Sequence, residues 1–147
     1  MEPWEGATPD LSDPAVVTVY DELPLWSAPF GLALLDAVEL RPGLTVLDVG
    51  CGTGFPLLEL AERLGPGARL HGVDPWAPAM ERLRSKVAAW GLDRSVALHV
   101  TTIEALALPP ASIDLVVSNN GLNNVARLPE ALAACARLAR PGAQLVF

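Results

Sequence analysis

Asp48, Gly50, Gly52 and Gly54 fall in one run, Val46-Leu47-Asp48-Val49-Gly50-Cys51-Gly52-Thr53-Gly54. Its apolar start reads as a buried strand, and Pro56-Leu57-Leu58-Glu59-Leu60-Ala61 reads as the helix that follows. Open α/β sheets bind ligands at such a strand-to-helix turn. Glycines let the backbone turn sharply and approach a ligand with no Cβ in the way. Loop N–H groups and the positive end of the helix suit a carboxylate or a phosphate. Asp48 adds a carboxylate, which suits a cationic group. A tight turn with no ligand is the plain alternative, but three glycines in five residues carry a folding-entropy cost that a mere turn does not require.

Spacing narrows the ligand. The dinucleotide fingerprint G-x-G-x-x-G needs a third glycine where the helix packs on the strand. Counted from Gly50 that position is Phe55, and from Gly52 it is Leu57; both are bulky. The phosphate loop G-x-x-x-x-G-K-[ST] fails because no lysine follows; Lys86 is the only lysine in the chain. A second strand ends His71-Gly72-Val73-Asp74, with Asp74 20 residues (74 − 54) after Gly54. An acidic residue there can accept both hydroxyls of a ribose. Helix capping is its other available role, since Pro78 suits a first helical turn.

The remaining pattern, D-x-G-x-G-x-G, resembles motif I of the class I S-adenosylmethionine (SAM)-dependent methyltransferases of small molecules. Later segments extend the likeness from about Tyr20 to Phe147. Thr101-Thr102-Ile103-Glu104-Ala105-Leu106-Ala107-Leu108-Pro109 is similar to the family's D-A-E-x-L-P-F segment. Ser118-Asn119-Asn120-Gly121-Leu122-Asn123-Asn124-Val125 is similar to S-N-x-x-L-H-H-V, with Asn123-Asn124 in place of the histidines. Ala131 to Phe147 is similar to the R-x-L-x-P-G-G-x-L-V-F element.

The resemblance implies direct methyl transfer from SAM to a small-molecule acceptor, leaving S-adenosylhomocysteine. It assigns Gly50, Cys51, Gly52 and Gly54 to the methionyl end and Asp48 to its ammonium. Asp74 takes the ribose. Pro75 and Trp76 flank the adenine, although Trp76 suits a core position equally well. Thr102 stands where the family usually has an Asp that accepts from the adenine amino group; its hydroxyl accepts without charge assistance. Ile103 offers a backbone N–H to the adenine. Asn119 and Gly121 line the methyl end, and Tyr20 covers the cofactor from the N-terminal arm. Asparagine cannot replace histidine as a base, so no catalytic base is named. His71 and His99 read as packed or edge residues. The absence of N-P-P-Y argues against methylation of nucleic-acid base amino groups. Two other classes stay open: a SAM-binding module without catalysis, and an NAD(P)-binding oxidoreductase domain, which Phe55 disfavours.

The elements that must position these residues alternate. After a helix from Trp26 to Val38 come a strand at Thr45 to Val49, a helix at Pro56 to Leu64 and a strand at Arg69 to Val73. A helix at Pro78 to Trp90 and strands at Val96 to Val100 and Asp114 to Ser118 follow. A helix at Leu128 to Ala139 ends at Pro141-Gly142, and Gln144 to Phe147 begins a last strand. This is α/β patterning: a Rossmann-like, doubly wound, mainly parallel sheet with helices on both faces. Residues 1–25 read as an arm and 26–147 as the SAM-binding domain. Family members usually continue past the fifth strand with a helix and an antiparallel pair. The expectation is therefore a C-terminally truncated domain whose exposed last strand can pair with a second copy.

Composition sets outer limits. The chain has 147 residues, 51% of them hydrophobic, enough for one domain with a real core. No apolar run is long enough to span a bilayer, and the acidic start Met1-Glu2-Pro3-Trp4-Glu5 lacks a signal-peptide pattern. A net charge of −7 argues against a nucleic-acid partner. Cys51 and Cys135 read as free thiols of a reducing cytoplasm, with no metal-site spacing around either.

Overall fold

The computed structural model describes residues 9–22 and 27–147; the acidic start and Trp26 lie outside them. Pro14–Glu22 forms α1, within the segment read as an arm. α2 spans Ala28–Ala37. Strands and helices then alternate: β1 Thr45–Val49, α3 Leu57–Leu64, β2 Arg69–Val73, α4 Ala77–Ala89, β3 Val96–His99 and β4 Ile113–Val117, then α5 Leu128–Leu138 and β5 Ala139–Val146. Pro29, Pro78 and Pro129 sit in the first turns of α2, α4 and α5, where a missing N–H leaves no bond unmade.

The strands pair in the order β3-β2-β1-β4-β5, all parallel. The chain winds outward from β1 through β2 to β3, then crosses back to β4 and β5. The crevice beside the carboxyl end of β1 is therefore the topological switch point of a doubly wound sheet.

Each face of the sheet carries its own apolar layer. Leu34, Leu35, Leu57, Leu60, Met80 and Leu83 from α2, α3 and α4 pack with Val46, Leu70 and Leu115. On the other face Ala131, Ala134, Cys135 and Leu138 of α5, with Ile103 and Leu106, pack against Leu47, Val73 and Val116. Strands buried on both faces explain the near-continuous apolar runs in the sequence.

One boundary differs from the sequence reading. β5 starts at Ala139, directly after α5, and not at Gln144. Ala139 already has extended backbone and pairs with Ile113, whereas Leu115 pairs with Gln144. The intervening residues bulge out, with Gly142 at φ 81°. Pro141-Gly142 thus marks a bulge in an edge strand rather than a helix stop. Asp114 anchors this region: it accepts the Thr45 N–H at 2.8 Å and pairs with Arg140. Gln144 accepts the Glu39 N–H and donates to the Ala37 carbonyl, both at 3.0 Å, tying β5 to the end of α2.

Candidate functional site

Three turns converge at the switch point. After β1, the Gly50 N–H donates to the Val73 carbonyl at 2.8 Å, which folds the loop over the end of β2. After β2, Asp74 accepts the Gly52 N–H on one oxygen at 2.9 Å and the Trp76 N–H on the other at 2.8 Å. After β4, the buried Ser118 hydroxyl donates to the Val49 carbonyl at 2.7 Å and accepts the Leu122 N–H at 3.0 Å. Gly50 and Gly121 are pressed together as a result, and a Cβ on Gly121 would stand 2.7 Å from the Gly50 Cα.

The turns enclose a cavity of about 650 Å³, a volume suited to a nucleoside-sized ligand. Its wall takes Gly50 and Gly52 from the first turn, Asp74, Pro75 and Trp76 from the second, and Asn119 and Gly121 from the third. Thr102 and Ile103 close one side, and Tyr20 of α1 covers another. A smaller cavity of about 230 Å³ adjoins it across the glycine loop. Tyr20, Gly50, Gly52 and Asn119 are common to both, and Cys51 lines the smaller one.

Asp48 and Gly54 stand outside both linings. A Cβ on Gly54 would reach 3.1 Å from Leu58 and strike Leu83, so this glycine serves the packing of α3 and α4. Asp48 is fully buried beneath the loop, and neither oxygen has a hydrogen-bond partner. Burial, reinforced by the Asp74 charge, pushes its carboxyl up to about 8. The Leu57 amide opposes that rise from nearby without meeting hydrogen-bond geometry. The Cys51 thiol is also buried, with Sγ 3.5 Å from the Met80 sulfur, and burial raises it well above the ordinary thiol range. That removes it as a nucleophile at neutral pH.

Trp76 is part of the wall, neither loose nor fully in the core. Its ring meets Tyr20 edge to face at 5.1 Å, and its Nε1–H donates to the Leu11 carbonyl at 2.7 Å. Tyr20 is pushed above its ordinary value by burial and by the Asp74 charge. Thr102 is exposed at the rim and Ile103 is buried. Beyond Asn119 the amides chain together: Asn123 donates to Asn120, and Asn120 donates to Asn119. Asn120 holds a left-handed backbone at φ 63°, which asparagine tolerates better than most residues. His71 and His99 lie away from the cavity on β2 and β3, with their nitrogens 3.1 Å apart.

The sequence reading missed Leu11, Asp21, Phe55 and Lys86, all on the cavity walls. Asp21 of α1 pairs with Lys86 at 2.7 Å and with Arg82 at 2.9 Å, both on α4. The available signal was an acidic arm facing a helix with Arg82 and Lys86 one turn apart.

Residues 47–147 match the family described as "Methyltransferase domain". The chain belongs to this methyltransferase family. It is 36% identical over 117 residues to the nocamycin O-methyltransferase of Saccharothrix syringae, covering 80% of this chain and 41% of that protein. It is 37% identical over 123 residues to the aklanonic acid methyltransferase DauC of a Streptomyces species, covering 83% of this chain and 54% of DauC. The methyltransferase domain thus spans about half the length of the curated relatives it matches. In fold it matches a SAM-dependent methyltransferase from Aquifex aeolicus with a TM-score of 0.76 at 24% identity, over 88% of this chain and 68% of that one. A geranyl diphosphate methyltransferase solved in complex with SAM aligns with a TM-score of 0.74 at 23% identity, over 95% and 55%. Among the described residues, no helix is long and apolar enough to cross a membrane and no cluster of three metal-ligating side chains occurs.

Proposed function

We propose that this methyltransferase domain binds S-adenosylmethionine at the switch point and carries out methyl transfer to a small-molecule acceptor. The observation that carries the reading is the cavity of about 650 Å³ at the switch point, walled by Gly50, Gly52, Asp74, Trp76, Asn119 and Gly121. Bound SAM supplies a methyl group already activated on a sulfonium, so the hard chemistry resides in the cofactor. The chain's own part is to bind, orient and exclude water. Asp74 accepts the ribose hydroxyls on lone pairs left beside its two amide bonds. Trp76, Pro75, Thr102 and Ile103 hold the adenine, while Gly50, Cys51 and Gly52 pass the methionyl end. Asp48 and Gly54 shape the loop from below. Asn119 and Gly121 line the methyl end, with the amide chain through Asn120 and Asn123 fixing Asn119.

The same reading divides the chain into an N-terminal arm, 1–25, and a SAM-binding domain, 26–147, and Tyr20 and Asp21 of α1 at the cavity walls support a part for the arm in the site. It sets the chain in the reducing cytoplasm, supported by two buried free cysteines. It also gives the open edge of β5, where Leu145 and Phe147 are exposed, to pairing with a second copy. The name of the nocamycin O-methyltransferase favours an oxygen acceptor. Ultraviolet crosslinking with methyl-labelled SAM tests the cofactor assignment. Label on the peptide carrying Ser118 to Val125 is expected; label confined to peptides remote from both cavities contradicts it.

A further inference from the structure

Charge is distributed unevenly around the glycine loop. The larger cavity is walled by Asp74 and Glu104, with no cation in its described lining. The smaller one holds a carboxylate and an ammonium side by side, Asp21 and Lys86, 2.7 Å apart. We propose that Asp21 and Lys86 bind the zwitterionic amino-acid end of S-adenosylmethionine, Asp21 accepting from its ammonium and Lys86 donating to its carboxylate. This rests on the SAM reading above.

Three observations carry it. The two cavities share Tyr20, Gly50, Gly52 and Asn119, so a ligand whose nucleoside fills the larger one runs past the glycine loop into the smaller. An α-amino acid presents both signs of charge within one carbon, and this cavity offers both in the opposite sense. Asp48, the carboxylate closer in sequence, is sealed at 0% exposure and reaches neither cavity, whereas the Asp21 and Lys86 side chains keep 11% and 27% exposure.

Both groups have capacity left. Lys86 meets one Asp21 oxygen and Arg82 the other, and the Thr53 hydroxyl also bonds the carboxylate, so one of its roughly four acceptor sites stays open, and an ammonium carries three donors. Burial pushes the Asp21 carboxyl up, but hydrogen bonds from Lys86 and Arg82 outweigh it, with the Lys86 charge and the Thr53 hydroxyl adding to them. Asp21 is therefore a carboxylate at neutral pH. Arg82 shares the clasp between α1 and α4 but lines neither cavity, which makes it the control.

The test is calorimetric titration of the full chain with S-adenosylhomocysteine and with 5′-methylthioadenosine, which keeps the nucleoside and thioether but lacks the amino acid. Asp21→Asn and Lys86→Met are expected to weaken the first ligand about tenfold or more and leave the second within about twofold. Arg82→Met is expected to shift both ligands alike. Equal loss of both ligands in all three variants overturns the proposal and leaves Asp21 as a clasp only. Undiminished S-adenosylhomocysteine affinity in Lys86→Met overturns it as well. Failure of the unmodified chain to bind either nucleoside overturns the SAM reading itself, and this proposal with it.

Discussion

Gly50 and Gly121 meet backbone to backbone beneath the larger cavity: a Cβ on Gly121 would stand 2.7 Å from the Gly50 Cα and strike the Val49 carbonyl. Gly121 has ordinary helical dihedrals, φ −67° and ψ −47°, so close approach alone requires it to be glycine. Gly50 sits at φ +73°, where a side chain is strained as well. Gly121→Ala is expected to cost about 1–3 kcal/mol through overpacking. Gly50→Ala is expected to cost about 1 kcal/mol more from its left-handed backbone. Urea midpoints check both points: equal midpoints for the two variants would remove the left-handed cost at Gly50, and an unchanged midpoint for Gly121→Ala would refute the close-approach argument.

Asp48 makes stability depend on pH. Its carboxyl lies near 8 in the folded chain against an ordinary 3.8. Between those values the folded state holds the proton and the unfolded state has lost it. Stability is then greatest at the acidic end of the window and falls as pH rises towards 8, by up to about 1.4 kcal/mol per unit. Asp48→Asn mimics the protonated form and is expected to flatten this slope. Urea unfolding at pH 5, 6.5 and 8 reads it directly; parallel curves for the two proteins would remove the assignment.

Asp74 links the loop to the cavity. Asp74→Ala leaves the Gly52 and Trp76 N–H groups without their acceptor, and is expected to lower cofactor affinity by about 1–3 kcal/mol. Loss of its charge also brings Asp48 down, because Asp74 is the second cause of that rise. Equilibrium dialysis with labelled SAM measures the first effect. Unchanged affinity would take the ribose contact away from Asp74.

His71 and His99 are both held below the ordinary histidine value. Burial is the main cause for each, with the other imidazole and Arg69 adding to it at His71. Below pH 6.5 the unfolded chain binds protons that the folded pair resists, so this contribution to stability is lost as pH falls. His99→Gln is expected to shift the His71 titration upward in an NMR pH series. An unmoved His71 titration would mean that the 3.1 Å contact does not couple the two rings.

How much of this was readable beforehand follows from the range of each interaction. Val46, Leu47, Leu70 and Val73 announce buried parallel strands because neighbouring positions face two apolar layers, and Gly50, Gly52 and Asp74 announce the site by local spacing. Of the thirteen residues assigned to the cofactor in advance, eleven line the two cavities; Asp48 and Gly54 do not. Both belong to the same motif, but Asp48 is sealed within β1 and Gly54 is packed against Leu58 and Leu83. Asp21 and Lys86 were not legible, because they lie 65 residues apart and meet only when α1 docks on α4. The start of β5 was misread for a related reason: pairing with Ile113 extends Ala139, and no local signal at Pro141-Gly142 carries that partner.

The most direct measurement is calorimetric titration of the purified chain with S-adenosylhomocysteine, beside NAD as control. The account predicts binding at about micromolar affinity for the first and none for the second. Binding of NAD, or of neither ligand by a folded sample, would contradict the assignment of the switch-point cavity to S-adenosylmethionine.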